Sequence, residues 1–586
     1  MTTASRAAAE HAPGDAARRV LVIGDDTRSF LTLTRSLGRA GNVVHAAPFN
    51  RRSPALRSRY LAAVHRLPDH LGDGAAWRAA LRALVTRERL GVVIPCDERA
   101  LLPLDAHRAA FADLALAIPD RRAIEVFYDK HHTRELAARH GVAIAPGRPL
   151  RADDTAAELA DTFGLPLALK PRCSYRLESL HARGKVTLAA DTASLERALA
   201  HHPPGETVVE AFAPGIGVGV SVLAADGELL QAFEHHRDHD DLTVGGSYYR
   251  HSAALTPVLL FAVERLVDDL GYTGVAMFEF RLDRTDGRYA LLEVNARPWG
   301  SMPLPVALGV DFPERWRRLL VAGERTPPVR YRRFVYGRNI VPDLEHMLFD
   351  IRRAAHRGGA VARAAGGLGV GIGRLVVGRE RWDTFTRDDP RPGLVELGAA
   401  TKVLADKFAE RLPGARRRRR RRAVRRLRRL ARGAARPHVV FVCHGNICRS
   451  PFAAELARRA AGARWRIDSA GVLPVEDRPA PAEARAVAAE FGLDLAAHRS
   501  RHLDPELAAA DLLVVFDQKN ALALDQRYPD TATRTVKLGE LLDDGDDILD
   551  PLGGDRATFR AVYDRIAAAV ARLAAAMSAA PDERGR

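Results

Sequence analysis

An α/β chain of several domains is the fold class this sequence predicts. Apolar strand runs recur ahead of helical patterns along the chain, beginning with Arg19-Val20-Leu21-Val22-Ile23-Gly24 and Gly91-Val92-Val93-Ile94-Pro95. Such runs, apolar at every position, suit strands of a parallel sheet covered on both faces. At 586 residues the chain is also too long for one core, since domains hold roughly 100–200 residues. Its 47% hydrophobic and 28% charged content is that of a globular protein, so most of it is expected to fold.

Taken in order, residues 19–125 read as a first α/β domain with a parallel sheet. The glycines after its first strand do not form GxGxxG, so no dinucleotide site is expected there. In residues 126–325 strands alternate with helices, with strands expected at 167–170, 208–212, 219–224, 275–282 and 289–295. Residues 326–412 read as an accessory helical segment without a chemical role: helix around 345–360, a glycine-rich apolar patch at 364–378, helix near 396–411. A basic linker is expected at 413–437. The last domain, 438–578, opens with the buried strand His438-Val439-Val440-Phe441-Val442. There are no internal repeats.

Four cysteines (Cys96, Cys173, Cys443, Cys448) point to a reducing compartment rather than a disulfide framework. The first residues lack the apolar core of a secretory signal, and no run reaches the ~18 apolar residues of a membrane span; the patch at 364–378 is short, glycine-rich and interrupted by Arg374. A cytoplasmic location is expected. Of the net charge of +16, 13 arginines between Arg416 and Arg436 account for all but +3, so the basicity is local and does not signal sequence-specific nucleic-acid binding. Within that tract Val424, Leu427 and Leu430 fall at helical spacing. Two readings stand: a self-repelling, solvated linker, or a basic amphipathic helix lying on an anionic membrane surface, which would make the protein peripheral at the inner face, or on another polyanion.

Chemistry is concentrated in two places. The loop Cys443-His444-Gly445-Asn446-Ile447-Cys448-Arg449-Ser450 lies between a strand and a helix with C-x5-R spacing. Successive backbone N–H groups closed by a helix N-terminus make a concave anion site. The same dipole and Arg449 favour a thiolate at Cys443, and the Arg449 fork suits two phosphate oxygens. Gly445 and Asn446 tolerate left-handed backbone. The full string resembles the low-molecular-weight protein tyrosine phosphatases, and the resemblance runs over residues 438–575. Asp468-Ser469-Ala470-Gly471 looks like the family's second strand and turn, Leu512-Leu513-Val514-Val515-Phe516-Asp517 its fourth strand, and Asp550-Pro551 its general acid.

That resemblance implies a flavodoxin-like parallel sheet and a two-step displacement. Cys443 would attack phosphorus while Asp550 protonates the leaving oxygen, and Asp550 would then activate water against the phosphocysteine. Ser450 would hydrogen-bond the thiolate and His498 would brace Asn446. Val475 and Leu552-Gly553 stand where phosphotyrosine-selective members carry aromatic walls, so the substrate is expected to be a phosphoprotein or a small phosphate ester. With no cysteine after Cys448, the arsenate reductase variant is disfavoured. Cys448 is expected either to pair reversibly with an oxidised Cys443 or to pack beneath the loop.

The second place is Phe278-Glu279-Phe280-Arg281 with Leu291-Leu292-Glu293-Val294-Asn295-Ala296-Arg297. Glu279, Glu293 and Asn295, on adjacent strands, are hard oxygen donors suited to magnesium; as bare spacing they could equally face solvent. Residues 20–325 resemble the ATP-grasp superfamily, which includes biotin carboxylase and carbamoyl phosphate synthase, with a Rossmann-like domain ahead of the ATP-grasp fold. The resemblance implies ATP and Mg2+, with ATP held by Lys130, Lys170, Lys185, Glu210 and Phe212, and with Arg297 facing the same oxygens. It also implies a carboxylate activated as an acyl phosphate and captured by an amine, near residues 237–250 with Gly245-Gly246 as a hinge, and near Trp299-Gly300-Ser301. Two readings follow: a bifunctional enzyme, ligase plus phosphatase, or a regulator whose ATP-grasp half senses nucleotide and controls the phosphatase.

Overall fold

The computed structural model describes residues 16–24, 27–71, 73–180, 183–241, 246–344, 370–371, 373–411, 414–433, 436–473, 475–544 and 547–578. The chain divides into two compact units, one of residues 1–49 and 53–400, the other of residues 50–52 and 401–586. The multidomain α/β class expected from sequence is the one observed. Among the described residues no helix is long and apolar enough to cross a membrane.

The first unit opens with five parallel strands, β1 (Arg19–Gly24), β2 (Val43–Pro48), β3 (Leu61–Val64), β4 (Val92–Pro95) and β5 (Ala115–Leu116), in the order β3-β2-β1-β4-β5. Val20, Leu21, Val22 and Ile23 are all buried, because adjacent positions of β1 feed cores on opposite faces of the sheet. A small antiparallel sheet follows, of β6 (Gly147–Pro149), β7 (Leu167–Pro171), β8 (Thr187–Ala189) and β9 (Thr207–Ala211), ordered β6-β9-β7-β8.

A seven-stranded sheet completes the unit: β10 (Ile216–Ala225), β11 (Glu228–Asp241), β12 (Gly246–Ala253), β13 (Gly274–Leu282), β14 (Tyr289–Asn295), β15 (Tyr336–Arg338) and β16 (Glu380–Trp382), ordered β14-β13-β10-β11-β12-β15-β16. The accessory segment is thus not simply helical, for β15 and β16 extend this sheet. Buried Arg250 on β12 ties them in, donating to both Asp383 oxygens at 2.8 and 3.1 Å. The expected helix near 396–411 is present as Arg391–Arg411. The helix expected at 345–360, Gly245 of the expected hinge, and residues 364–369 and 372 of the apolar patch lie outside the described residues.

In the second unit β17 (His438–Cys443), β18 (Arg466–Gly471), β19 (Leu512–Val515) and β20 (Thr535–Lys537) form a parallel sheet in the order β18-β17-β19-β20. Strict alternation along β17 sends Val439 and Phe441 to one core and Val440 and Val442 to the other. The segment 512–517, expected as a fourth strand, supplies the third strand in chain order.

Of the two readings of the arginine tract, the structure has the helical one: residues 415–433 form a helix, Ala415–Gly433. Leu427 is fully buried and Ala423 nearly so in the core shared with Phe452, Tyr563 and Ile566, and Val424 and Leu430 pack at its margin. The apolar stripe therefore docks on the protein, which offsets the repulsion among the arginines.

Candidate functional site

At the end of β17 the chain turns from Cys443 through Asn446, whose φ of 52° is left-handed, into the helix Arg449–Ala461. Asparagine tolerates that backbone because its short side chain can bond locally. Here Asn446 Nδ2 donates to Ser450 Oγ and Ser469 Oγ, both at 2.9 Å, and its Oδ1 accepts from Arg501 N at 2.8 Å. The Asn446 backbone N–H points at Cys443 Sγ, 3.2 Å away. Ser450 Oγ lies 3.0 Å from the same sulfur. Having accepted from Asn446, this hydroxyl has its one proton free for Sγ or for the Ala470 carbonyl at 3.4 Å. The loop thus brings the Asn446 N–H and the Ser450 hydroxyl within hydrogen-bond reach of the sulfur.

Arg449 is buried and held from two sides. Its Nη1 donates to Asp517 Oδ2 at 2.6 Å and to the Ile548 carbonyl at 2.9 Å, and its Nη2 to Asp550 Oδ2 at 2.7 Å. Among the described residues its Nε is buried without a hydrogen-bond partner. His498 Nε2 lies 2.6 Å from the Asn446 carbonyl and must donate to it, since a carbonyl only accepts. Burial pulls the His498 pKa below its ordinary value despite that bond. Behind the loop, Cys448 is buried, and burial, with Asp550 and Cys443 nearby, pushes its thiol well above the ordinary range. Cys443 and Cys448 are both free thiols.

The structure therefore gathers Cys443, Asn446, Arg449, Ser450, His498 and Asp550, with Gly445 and Ile447 completing the loop and His444 exposed at its outer side. Two participants were missed from sequence. Asp517 was assigned only to a strand, although it follows the buried Phe516 at the strand's carboxyl end, where a site residue is to be sought. Arg478, whose Nη2 donates to the Gly445 carbonyl at 2.7 Å, lies in a loop with no motif to mark it. Val475 is half-buried and Leu552 exposed, at the positions expected to lack aromatic walls.

In the first unit a cavity of about 420 Å³ opens between the small sheet and the seven-stranded one. Lys130, Lys170, Lys185, Glu210 and Phe212 line it, as do Glu279 and Glu293. Glu210 is buried, accepts from Arg134 Nη1 at 2.9 Å and ion-pairs with Lys170, so its carboxylate orients a lysine. Glu279 on β13 is paired in register with Glu293 on β14, and Asn295 Nδ2 bridges them at 3.3 and 3.4 Å. Burial works to raise the Glu293 pKa, but Lys130, Lys170 and Arg183 hold it below its ordinary value. Lys130 Nζ is 3.8 Å from Glu293, and Arg237 ion-pairs with Glu279 at 2.5 Å.

Arg297 departs from expectation. It is not among the residues that line the cavity and donates to Glu98, a charged partner, and to Asn295 Oδ1, each at 3.0 Å. Among the described residues no group of three or more histidines, cysteines, aspartates or glutamates stands in metal-holding geometry. The carboxylates of Glu279 and Glu293 lie side by side and suit a hard cation, while Asn295 turns its Nδ2 to them and its Oδ1 to Arg297. Arg134 was not singled out from the sequence, where arginine is too common to stand out; Arg237 opens the stretch 237–250 expected near the substrate, and it lines the cavity.

Comparison with known proteins matches residues 438–582 to the family model described as low molecular weight phosphotyrosine protein phosphatase. The chain is 35% identical over 140 residues to a protein-arginine-phosphatase of Geobacillus stearothermophilus, covering 23% of this chain and 93% of that one. It is 33% identical over 129 residues to a probable low molecular weight protein-tyrosine-phosphatase of Ralstonia nicotianae, covering 22% and 87%. Among solved structures, the biotin carboxylase domain of the 2-oxoglutarate carboxylase of Hydrogenobacter thermophilus, in complex with MgADP, ADP and bicarbonate, matches with a TM-score of 0.43 and 19% identity over 54% of this chain and 73% of that one.

Proposed function

Because the chain belongs, through residues 438–582, to the low-molecular-weight phosphotyrosine protein phosphatase family, we propose that its second unit hydrolyses phosphomonoesters through a phosphocysteine. The observation that carries this reading is the convergence of Ser450 Oγ and the Asn446 N–H on Cys443 Sγ at 3.0 and 3.2 Å. Both stabilise the thiolate, which attacks phosphorus as the ester oxygen departs. Asp550 gives that oxygen its proton and then takes one from the water that cleaves the phosphocysteine. Arg449 and the loop amides hold the equatorial oxygens, where charge is spread in the transition state. Val475 and exposed Leu552 offer no ring to stack on a phenol, so aryl and alkyl phosphates are discriminated weakly. Cys443→Ser should abolish turnover while retaining phosphate binding; a burst of product from that variant would end the assignment.

For the first unit we propose ATP-dependent activation of a carboxylate as an acyl phosphate that an amine captures. The cavity supports this reading: Lys130, Lys170 and Lys185 supply positive charge for a triphosphate, and Phe212 an apolar surface for a base. Glu279, Glu293 and Asn295 would hold a magnesium ion, whose part is to screen phosphate charge. Calorimetry with magnesium present tests the site. Glu293→Ala should weaken ATP binding, and equal affinity in the two proteins would remove it. ADP release in pools of carboxylic acids and amines separates a ligase from a nucleotide sensor.

A further inference from the structure

We propose that Arg478 is a positioning residue of the phosphatase loop: by holding the Gly445 carbonyl outward, it aims the N–H of the same peptide, that of Asn446, at the Cys443 sulfur and at the phosphate which that sulfur attacks. This assignment rests on the phosphatase reading given above.

A trans peptide is planar, and its C=O and N–H point in opposite directions. Gly445 C=O and Asn446 N–H belong to one such peptide. Its carbonyl accepts from Arg478 Nη2 at 2.7 Å, and its N–H points at Cys443 Sγ, 3.2 Å away. Holding one end of the plane therefore aims the other. Loop amides serve a phosphoryl transfer best when they are aimed before charge develops, because a dipole that must first rotate stabilises less.

The neighbouring loop peptides are held in the same manner. The Cys443 carbonyl accepts from Val472 N at 3.0 Å and the His444 carbonyl from Leu473 N at 2.9 Å. The Asn446 carbonyl accepts from His498 Nε2 at 2.6 Å, and the Cys448 carbonyl from Tyr563 Oη at 3.1 Å. Among these donors Arg478 is the one that holds the peptide whose N–H reaches the sulfur.

The surroundings of Arg478 suit this task. Its backbone is fixed by buried Ser500: Arg478 N–H donates to Ser500 Oγ at 3.1 Å, and Ser500 N–H donates to the Arg478 carbonyl at 2.9 Å. Gly445 leaves the guanidinium room, since a Cβ there would lie 3.0 Å from Arg478 Nη2, tighter than an ordinary contact. Gly471 backs the same peptide, for a Cβ on it would lie 3.1 Å from both Gly445 C and Asn446 N. The peptide is thus confined on one side by backbone and on the other by one side chain.

The test combines kinetics of the full chain on p-nitrophenyl phosphate with observation of the Asn446 amide itself. Arg478→Met should lower kcat/KM by roughly tenfold or more, approaching the ~10²–10³ lost when such a donor is removed outright. Its melting temperature should stay that of the wild type, and Arg478→Lys, which keeps a donor on a long stem, should recover most of the loss. Where Arg478→Met melts lower, Arg478→Gln takes its place. The chain has six asparagines, so 15N-asparagine labelling resolves their amides, and Asn446→Asp identifies the one in the loop. Inorganic phosphate should shift that signal in the wild type and leave it in place in Arg478→Met. If the wild type neither turns over nor responds to phosphate, the phosphatase reading falls and this proposal with it. If the wild type does both and Arg478→Met matches it in kcat/KM or in the Asn446 response, the proposal alone is overturned.

Discussion

Arg449 carries the most constrained side chain of the phosphatase loop, for Asp517 and the Ile548 carbonyl fix Nη1 while Asp550 takes Nη2. Removing the charge at Asp517 should let the guanidinium drift by a fraction of an ångström. Asp517→Asn is therefore expected to lower turnover of an aryl phosphate by about 100-fold with little loss of stability, the scale of effect that misplacement of a catalytic group produces. Steady-state kinetics beside a melting curve checks both halves of this statement. His498 yields a prediction about pH. Burial lowers its pKa in the folded protein, so the unfolded chain binds the proton more readily. Stability from this group is complete above the ordinary histidine value of ~6.5 and is lost as pH falls from there toward the folded value. Thermal inactivation of the phosphatase should accordingly accelerate below about pH 6.5, and His498→Gln should flatten that dependence.

At the scale of elements, the helix Ala415–Gly433 is where charge and packing compete. Arginines in succession repel, yet the helix is held because Leu427 is buried and because Arg420 Nη1 and Arg426 Nη1 find Asp543 and the Thr535 carbonyl, each at 2.6 Å. Leu427→Ala should destabilise the second unit by about 2–5 kcal/mol, the range for truncating a buried leucine. Urea denaturation followed by loss of phosphatase activity measures this, and a shift within experimental error would return the tract to a linker. The strands β15 and β16 belong to the same class of lesson. Three residues each, they carry no periodicity long enough to read, and they exist because β12 offers an edge and Asp383 a partner for buried Arg250.

At the scale of the molecule the chain is two units with separate hydrophobic cores. Heating should therefore give two calorimetric transitions, of which Leu427→Ala moves one and leaves the other in place; a single shifted transition would contradict independent cores. The strands were legible because an apolar run buried on both faces depends only on local composition, and β1, β13, β14 and β17 were found to within a residue or so. The phosphatase loop was legible for a related reason: its chemistry is packed into the eight consecutive residues from Cys443 to Ser450, where spacing alone sets geometry. Fold class and loop were thus determined by the sequence itself, whereas the pairing of Glu279 with Glu293 rests on the register of β13 against β14. Tertiary structure alone decided that Asp517 reaches Arg449, that Glu210 spends its carboxylate on Lys170 and Arg134, that Arg297 turns to Glu98, and that an arginine tract packs as a helix. Each of those outcomes depends on a partner distant in sequence, and the free energy of a buried ion pair or an apolar contact is set by what faces it across the fold.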